Sequence, residues 1–201
     1  MPFESSYQEF IYVRTYSRWK PKEGRREKWD ETVDRYKDFF LKRVAKGYEE
    51  QFEEAIESIR SLSIVPSMRS LWTCGEALER DNVAGYNCSF TPIDTIKSFA
   101  EILYILSCGA GVGFSVERQY INQLPEVPQL TNDATLTGLP IIFEDSKLGW
   151  AEGFLQYLEA LYRGQIKRYD LSLIRPKGAR LKTFGGRASG PDRKSTRLNS
   201  S

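Results

Sequence analysis

The sequence predicts a mixed α/β protein, helical at its N-terminal end and alternating between helix and strand thereafter. Three observations carry this. Two apolar stripes at helical spacing follow one another, Trp29, Val33, Tyr36, Phe40 and Val44, then Tyr48, Phe52, Ala55, Ile59 and Leu62, which together read as a helical hairpin with solvated outer charges. A third stripe, Ile93, Ile96, Phe99, Ala100, Leu103 and Leu106, runs into glycines at alternate positions, Gly109, Gly111 and Gly113, and out into the strand-like Phe114, Ser115 and Val116. A fourth, Trp150, Phe154, Tyr157 and Leu161, stops at Gly164 and gives way to alternating Tyr169, Leu171 and Leu173, the period of a strand.

Composition narrows the chemistry. The chain has 201 residues, 40% hydrophobic and 28% charged, values of an ordinary globular protein. No apolar run reaches the roughly 18 residues of a membrane span, and acids occupy the N-terminus where a signal peptide needs a basic region, so a cytoplasmic protein is expected. The three cysteines, Cys74, Cys88 and Cys108, have no CxxC spacing; this argues against a disulfide framework and a structural zinc site, and no metal site is expected. There is no histidine, so serine-histidine and cysteine-histidine hydrolases are excluded within this chain. Any cysteine chemistry is redox or nucleophilic. The surplus of 29 Lys and Arg over 27 Asp and Glu resides in the last ten residues, DRKSTRLNSS, so no basic field points to nucleic acid. That tail resembles translated sequencing-adapter ends and is read as foreign to the fold.

In order along the chain, Ile11, Val13 and Thr15 alternate with Tyr12, Arg14 and Tyr16, which suits a short strand or extended arm ended by Pro21 and Gly24. The two helices of the hairpin follow, with Gly47 as the stop between them. Residues 63–91 are less regular, with short apolar pieces around Ile64 and Leu71. Thr91, Pro92 and Asp94 read as N-cap, first position and first-turn acid of the third helix. Residues 125–140 read as a long loop. On composition alone the three cysteines rank equally.

The glycine triplet is a binding-loop signal, because a backbone without Cβ can come within hydrogen-bonding distance of a ligand. It is not a dinucleotide fingerprint: that motif runs strand, glycines, helix, whereas here a helix precedes and a strand follows. A second glycine-rich segment, residues 175–191, carries Arg175, Lys177, Arg180, Lys182 and Arg187 and suits a flexible, anion-contacting loop.

Taken together, YVRTYSRWKPKEGRREKWDETVDR, VPSMRSLW at 65–72, the Asn87-Cys88 pair, CGAGVGFSVER at 108–118, GWAEGF at 149–154 and DLSLIRPKGARLKTFGGRASGP at 170–191 resemble the large-chain family of ribonucleotide reductases, most closely its monomeric adenosylcobalamin-dependent, triphosphate-reducing class. The resemblance implies an N-terminal helical region followed by the first part of a ten-stranded α/β barrel. The expected domains are an arm and helical hairpin over 1–62, the start of the barrel over 63–191, and the tail over 192–201. It also implies thiyl-radical reduction of a ribonucleotide, with Cys88 as one half of the reducing dithiol; it calls for no cysteine at Cys74 or Cys108, which therefore read as plain packing thiols. The radical cysteine and the other half belong to later segments of the family, so the chain reads as an N-terminal fragment with unpaired strand edges and no activity of its own.

By the same resemblance, Val65, Pro66, Ser67, Asn87, Ala110, Gly111 and Gly113 are substrate contacts. Arg175, Lys177, Gly178, Arg180 and Lys182 map to the loop that passes effector identity to substrate choice. Adenosylcobalamin is the implied cofactor, held mostly by residues outside the fragment. A ribonucleotide substrate, a deoxynucleotide or ATP effector and a thioredoxin-type reductant are the implied partners, without nucleic acid or membrane. The two-subunit, diphosphate-reducing class, a non-catalytic nucleotide-binding module and a helical interaction protein remain as alternatives.

Overall fold

The computed structural model describes residues 3–129, 138–181 and 186–191, which fall into two compact units, one running to Tyr86 and the other from Asn87 to Leu181 with the residues from Gly186. The first unit is helical. It comprises α1 (Ser6–Thr15), a short antiparallel pair β1 (Trp19–Lys20) and β2 (Arg25–Arg26), α2 (Trp29–Leu41), α3 (Glu49–Arg60), α4 (Met68–Thr73), α5 (Glu76–Arg80) and a 3-10 turn (Asn82–Gly85). The expected N-terminal strand is therefore a helix. Ser5 caps α1 by accepting the Gln8 N–H, and helical winding stacks Tyr12 on Tyr16 and buries Tyr12 edge-on against Trp29, 5.4 Å between ring centroids. Burial of Tyr12 and its stacking on Tyr16 at i, i+4 outweigh the β-branched alternation of Ile11, Val13 and Thr15.

The expected hairpin is present. Trp29, Val33, Ile56 and Ile59 bury together with Tyr12 and Leu71, and the Trp29 Nε1 donates to the Arg60 carbonyl at 2.9 Å, tying the start of α2 to the end of α3. Helix α2 stops at Leu41, earlier than the stripe through Val44 suggested.

A polar network holds this unit from within. The Arg35 guanidinium forks onto Glu27, Nε to Oε1 and Nη2 to Oε2 both at 2.9 Å, while its Nη1 donates to the Leu71 and Cys74 carbonyls. Glu27 also accepts the Thr32 hydroxyl and the Arg18 N–H. Arg18 in turn donates to the Trp72 carbonyl from two nitrogens. Burial pushes the Glu27 carboxyl up, but the Arg35 fork and these hydrogen bonds overcome it and hold the group below the usual range.

The second unit is built of strand–helix–strand steps. Strand β3 (Cys88–Pro92) is parallel to β4 (Gly111–Ser115) through α6 (Ile96–Ser107), and β5 (Ile141–Ile142) is parallel to β6 (Tyr169–Asp170) through α8 (Lys147–Tyr162), with a single turn α7 (Arg118–Ile121) between the two steps. Helices α6 and α8 pack on each other. These are the parallel βαβ units of an α/β fold. The sheets remain separate pairs among the described residues.

Thr91 and Pro92 do not start α6. They finish β3, pairing with Phe114 and Ser115, and the ladder continues past the missing proline donor through the Ile93 N–H on the Ser115 carbonyl at 3.0 Å. The cap is Thr95, whose hydroxyl accepts the Ser98 N–H. The expected strand at Tyr169, Leu171 and Leu173 is cut to two residues because Ile174 folds back onto the Leu171 carbonyl.

Both helices end in the same way. Gly109, with φ +86°, donates to Leu106, and Ala110 donates to Ile105; Gly164, with φ +71°, donates to Leu161, and Gln165 to Ala160. This is the Schellman pattern, which needs a left-handed residue just past the helix. The core of the unit is Ile141, Phe143, Trp150 and Ile174, and the GWAEGF motif explains itself there. A Cβ at Gly149 would meet the Glu144 carbonyl oxygen at 2.8 Å, and one at Gly153 would meet the Phe143 ring at 2.8 Å.

Two outcomes follow from these contacts. Because the folded Glu27 binds its proton less readily than the unfolded one, its contribution is complete above the ordinary carboxylate value of 4.5 and is lost as pH falls below it. Thermal unfolding followed against pH should show a drop in Tm over that range, shallower in Glu27→Gln. Gly149→Ala should lose up to about 2 kcal/mol in denaturant unfolding, since overpacking of about 1–3 kcal/mol is set against a helix-propensity gain of about 1 kcal/mol.

Candidate functional site

The parallel register of β3 and β4 sets Cys88 beside Gly111 and Phe90 beside Gly113. Neighbours in register on adjacent strands face the same way, so these four residues share one face of the pair. All four are exposed. The Gly111 peptide is pinned from both ends: its N–H donates to the Asn87 carbonyl at 2.8 Å, and its carbonyl accepts the Ser89 hydroxyl at 3.2 Å.

The three glycines of the triplet do different work. Gly109 is required by backbone conformation as the residue that ends α6, and Ala110 behind it is buried at 3% exposure. Gly111 and Gly113 have no positive φ. A Cβ on Gly111 would sit 3.5 Å from the Asn87 carbonyl, and one on Gly113 would sit 3.5 Å from the Phe90 ring, both ordinary contact distances. Neither the turn nor the packing demands glycine there. What glycine does supply at both positions is backbone open to an incoming ligand beside an exposed thiol.

The three thiols separate cleanly. Cys88 is exposed, whereas Cys74 and Cys108 are fully buried. Burial pushes the Cys74 thiol up despite the nearby Arg35 and Arg18, and Cys108 lies 3.2 Å from the Lys147 Nζ.

The remaining sequence-nominated residues are placed as follows. Val65 and Ser67 are exposed and Pro66 half-buried in the first unit, where Ser67 caps α4. Asn87, Cys88, Ala110, Gly111 and Gly113 come together in the second. Arg175 is committed to an ion pair with Asp145 at 2.7 Å. Lys177 and Arg180 are exposed. The expected flexible loop is, in its described part, a small antiparallel hairpin: Arg180 bridges Arg187, Gly178 donates to Ala188, and Ala188 donates to Ala179. Lys182 lies outside the described residues, as does the 192–201 tail. Phe90 and Ser89 were not nominated from sequence, although Phe90 follows Cys88 at the period-2 spacing that puts both on one strand face.

Comparison with known proteins shows which class of chain carries this arrangement of parallel βαβ units. Residues 1–76 match the family model described as the ribonucleotide reductase alpha domain. The adenosylcobalamin-dependent ribonucleoside-triphosphate reductase of Lactobacillus leichmannii is 29% identical over 244 residues, covering 90% of this chain and 33% of that protein. A Mycobacterium phage D29 protein, provisionally named for the same activity, is 30% identical over 215 residues, covering 91% of this chain and 30% of its own. A crystal structure of a B12-dependent (class II) ribonucleotide reductase superposes with a TM-score of 0.75 at 27% identity, over 91% of this chain and 34% of that one. The chain thus spans about a third of the length of the curated relatives it matches. In sequence and in fold it is similar to ribonucleotide reductases, and these relatives favour the adenosylcobalamin-dependent class over the two-subunit class.

Native-state thiol titration should show one cysteine reacting at least about tenfold faster than the other two, which must wait for local opening. Cys88→Ser should abolish the fast phase alone.

Proposed function

We propose that this chain is part of an adenosylcobalamin-dependent ribonucleoside-triphosphate reductase and that β3 and β4 form one side of its nucleotide-reduction site. The observation that supports this most is the register that puts the exposed Cys88 thiol beside Gly111. In this reading a ribonucleoside triphosphate lies against β4, with Gly111, Gly113 and the buried-side Ala110 letting it approach the backbone, and with Asn87 as a further contact. Cys88 and a second cysteine, supplied by a later segment of the family, become a disulfide; the two electrons and two protons they release replace the 2′ hydroxyl, which departs as water, by hydrogen.

Adenosylcobalamin, when bound, supplies the radical that starts this chemistry. Among the described residues no group of three or more His, Cys, Asp or Glu side chains is arranged to hold a metal ion, and no residue of this chain is assigned to the cofactor. The reducing half is what its own residues provide.

Residues 63–191 are proposed to begin the barrel, and residues 1–62 to be the arm and helical hairpin that precede it in the chain. The segment with Lys177, Gly178, Arg180 and Lys182 is proposed to relay a deoxynucleotide or ATP effector, with Arg175 as its anchor on Asp145. A thioredoxin-type protein would re-reduce the disulfide in a monomeric, cytoplasmic enzyme. No described helix is long and apolar enough to cross a membrane.

The test is a chimera in which residues 1–191 replace the matching segment of the Lactobacillus leichmannii relative. It should reduce a ribonucleoside triphosphate with a dithiol as reductant, and its Cys88→Ser form should lose at least about a hundredfold in steady-state turnover while still folding. Unimpaired multiple turnover by the Cys88→Ser chimera would remove Cys88 from the reaction. The 201-residue chain itself, with Cys74 and Cys108 buried, should show no turnover.

A further inference from the structure

Phe90 is 67% exposed and belongs to none of the buried clusters of its unit. It sits two residues beyond Cys88 on the same strand face, roughly 7 Å along β3. Its Cδ2 lies 3.5 Å from where a Gly113 Cβ would be, so the ring leans along β4 within van der Waals reach of position 113. An apolar ring this open, laid along glycine backbone next to the thiol, is a surface waiting for a flat partner.

We infer that Phe90 contacts the nucleobase of the substrate, a step that rests on the assignment of β3 and β4 to the nucleotide site. The chemistry selects the base from the three parts of a nucleotide. The ring face carries the negative end of the aromatic quadrupole, so an anionic triphosphate gains nothing from it. The sugar must sit at Cys88, whose thiol serves its 2′ carbon. The base, joined to the adjacent 1′ carbon, is the part that a ring one strand repeat away can reach, and every base offers a π face for stacking. Phe90 therefore adds affinity for nucleotides in general and leaves the choice among bases to other residues.

The experiment measures protection of Cys88 from a thiol reagent in the 201-residue chain, with ATP and with base-free ribose 5-triphosphate as the probes. In the unsubstituted protein ATP should protect at about tenfold lower concentration than ribose 5-triphosphate. Phe90→Ala should bring ATP down to the level of the base-free compound and leave the latter unchanged, and Phe90→Trp should keep the difference. Equal protection by ATP in Phe90→Ala and the unsubstituted protein would overturn the assignment of the ring and leave the nucleotide site standing. Parallel loss with both probes would mean that Phe90 supports the strand and not the base. If neither probe protects Cys88 in the unsubstituted chain, the nucleotide site itself fails, and Phe90 with it. Far-UV circular dichroism of each variant separates these outcomes from misfolding, which the exposure of Phe90 makes a small risk.

Discussion

The five-residue parallel register between β3 and β4 is the constraint on which the candidate site depends. Side-chain direction along a strand has a period of two, so slipping that register by one residue would set Cys88 beside Val112 or Ala110 and turn the glycine face away from the thiol. Nothing in the two strands is apolar enough to lock the register by burial alone, since the burial of both is patchy. It is held instead by backbone: the Gly111 N–H on Asn87 at one end, the Ile93 N–H on Ser115 at the other, and the Ser89 hydroxyl on the Gly111 carbonyl between them. The helix that connects the strands contributes by stopping in the right place. Gly109 reverses the chain within one residue, and β4 begins two residues later.

The first unit is organised on a different principle. Its core mixes aromatic and aliphatic side chains, and Arg35 of α2 ties the loop before that helix, through Glu27, to the C-terminal end of α4, through the Leu71 and Cys74 carbonyls. Removing one member of such a buried pair would strand the other without a partner, which costs far more than the pair contributes while intact. Arg35 also fills the backbone acceptors left open at the end of α4, so a single guanidinium serves as ion-pair partner and as helix cap.

Much of this was legible in the sequence, and the misreadings have physical causes. The stripes of α2, α3, α6 and α8 were readable because each helix buries a face wide enough to print its period on the sequence. The order helix, glycines, strand was readable for the same reason, and it was enough to set the triplet apart from a dinucleotide loop. The first helix was misread as a strand because Ile11, Val13 and Thr15 alternate. Its deciding contact, Tyr12 on Trp29, is tertiary and leaves no local trace. Thr91 was misread as the cap of α6 because strand pairing with a segment about twenty residues downstream, which draws it into β3 and leaves the cap to Thr95, is invisible locally. The exposure that separates Cys88 from Cys74 and Cys108, and the position of Phe90 beside Gly113, depend on through-space neighbours that composition and spacing do not encode.

The shared helix endings in the second unit bear on how such a chain is assembled. Thr95 and Ser146 each start a helix with a side-chain cap, and Gly109 and Gly164 each end one with the same pair of backbone hydrogen bonds. Every strand–helix–strand step thus carries its own punctuation, and the length of one helix, 12 residues in α6 and 16 in α8, is decided without reference to the other. A fold written this way can lengthen by appending further steps, and a helix that gains or loses a turn in one step leaves the phase of the next undisturbed.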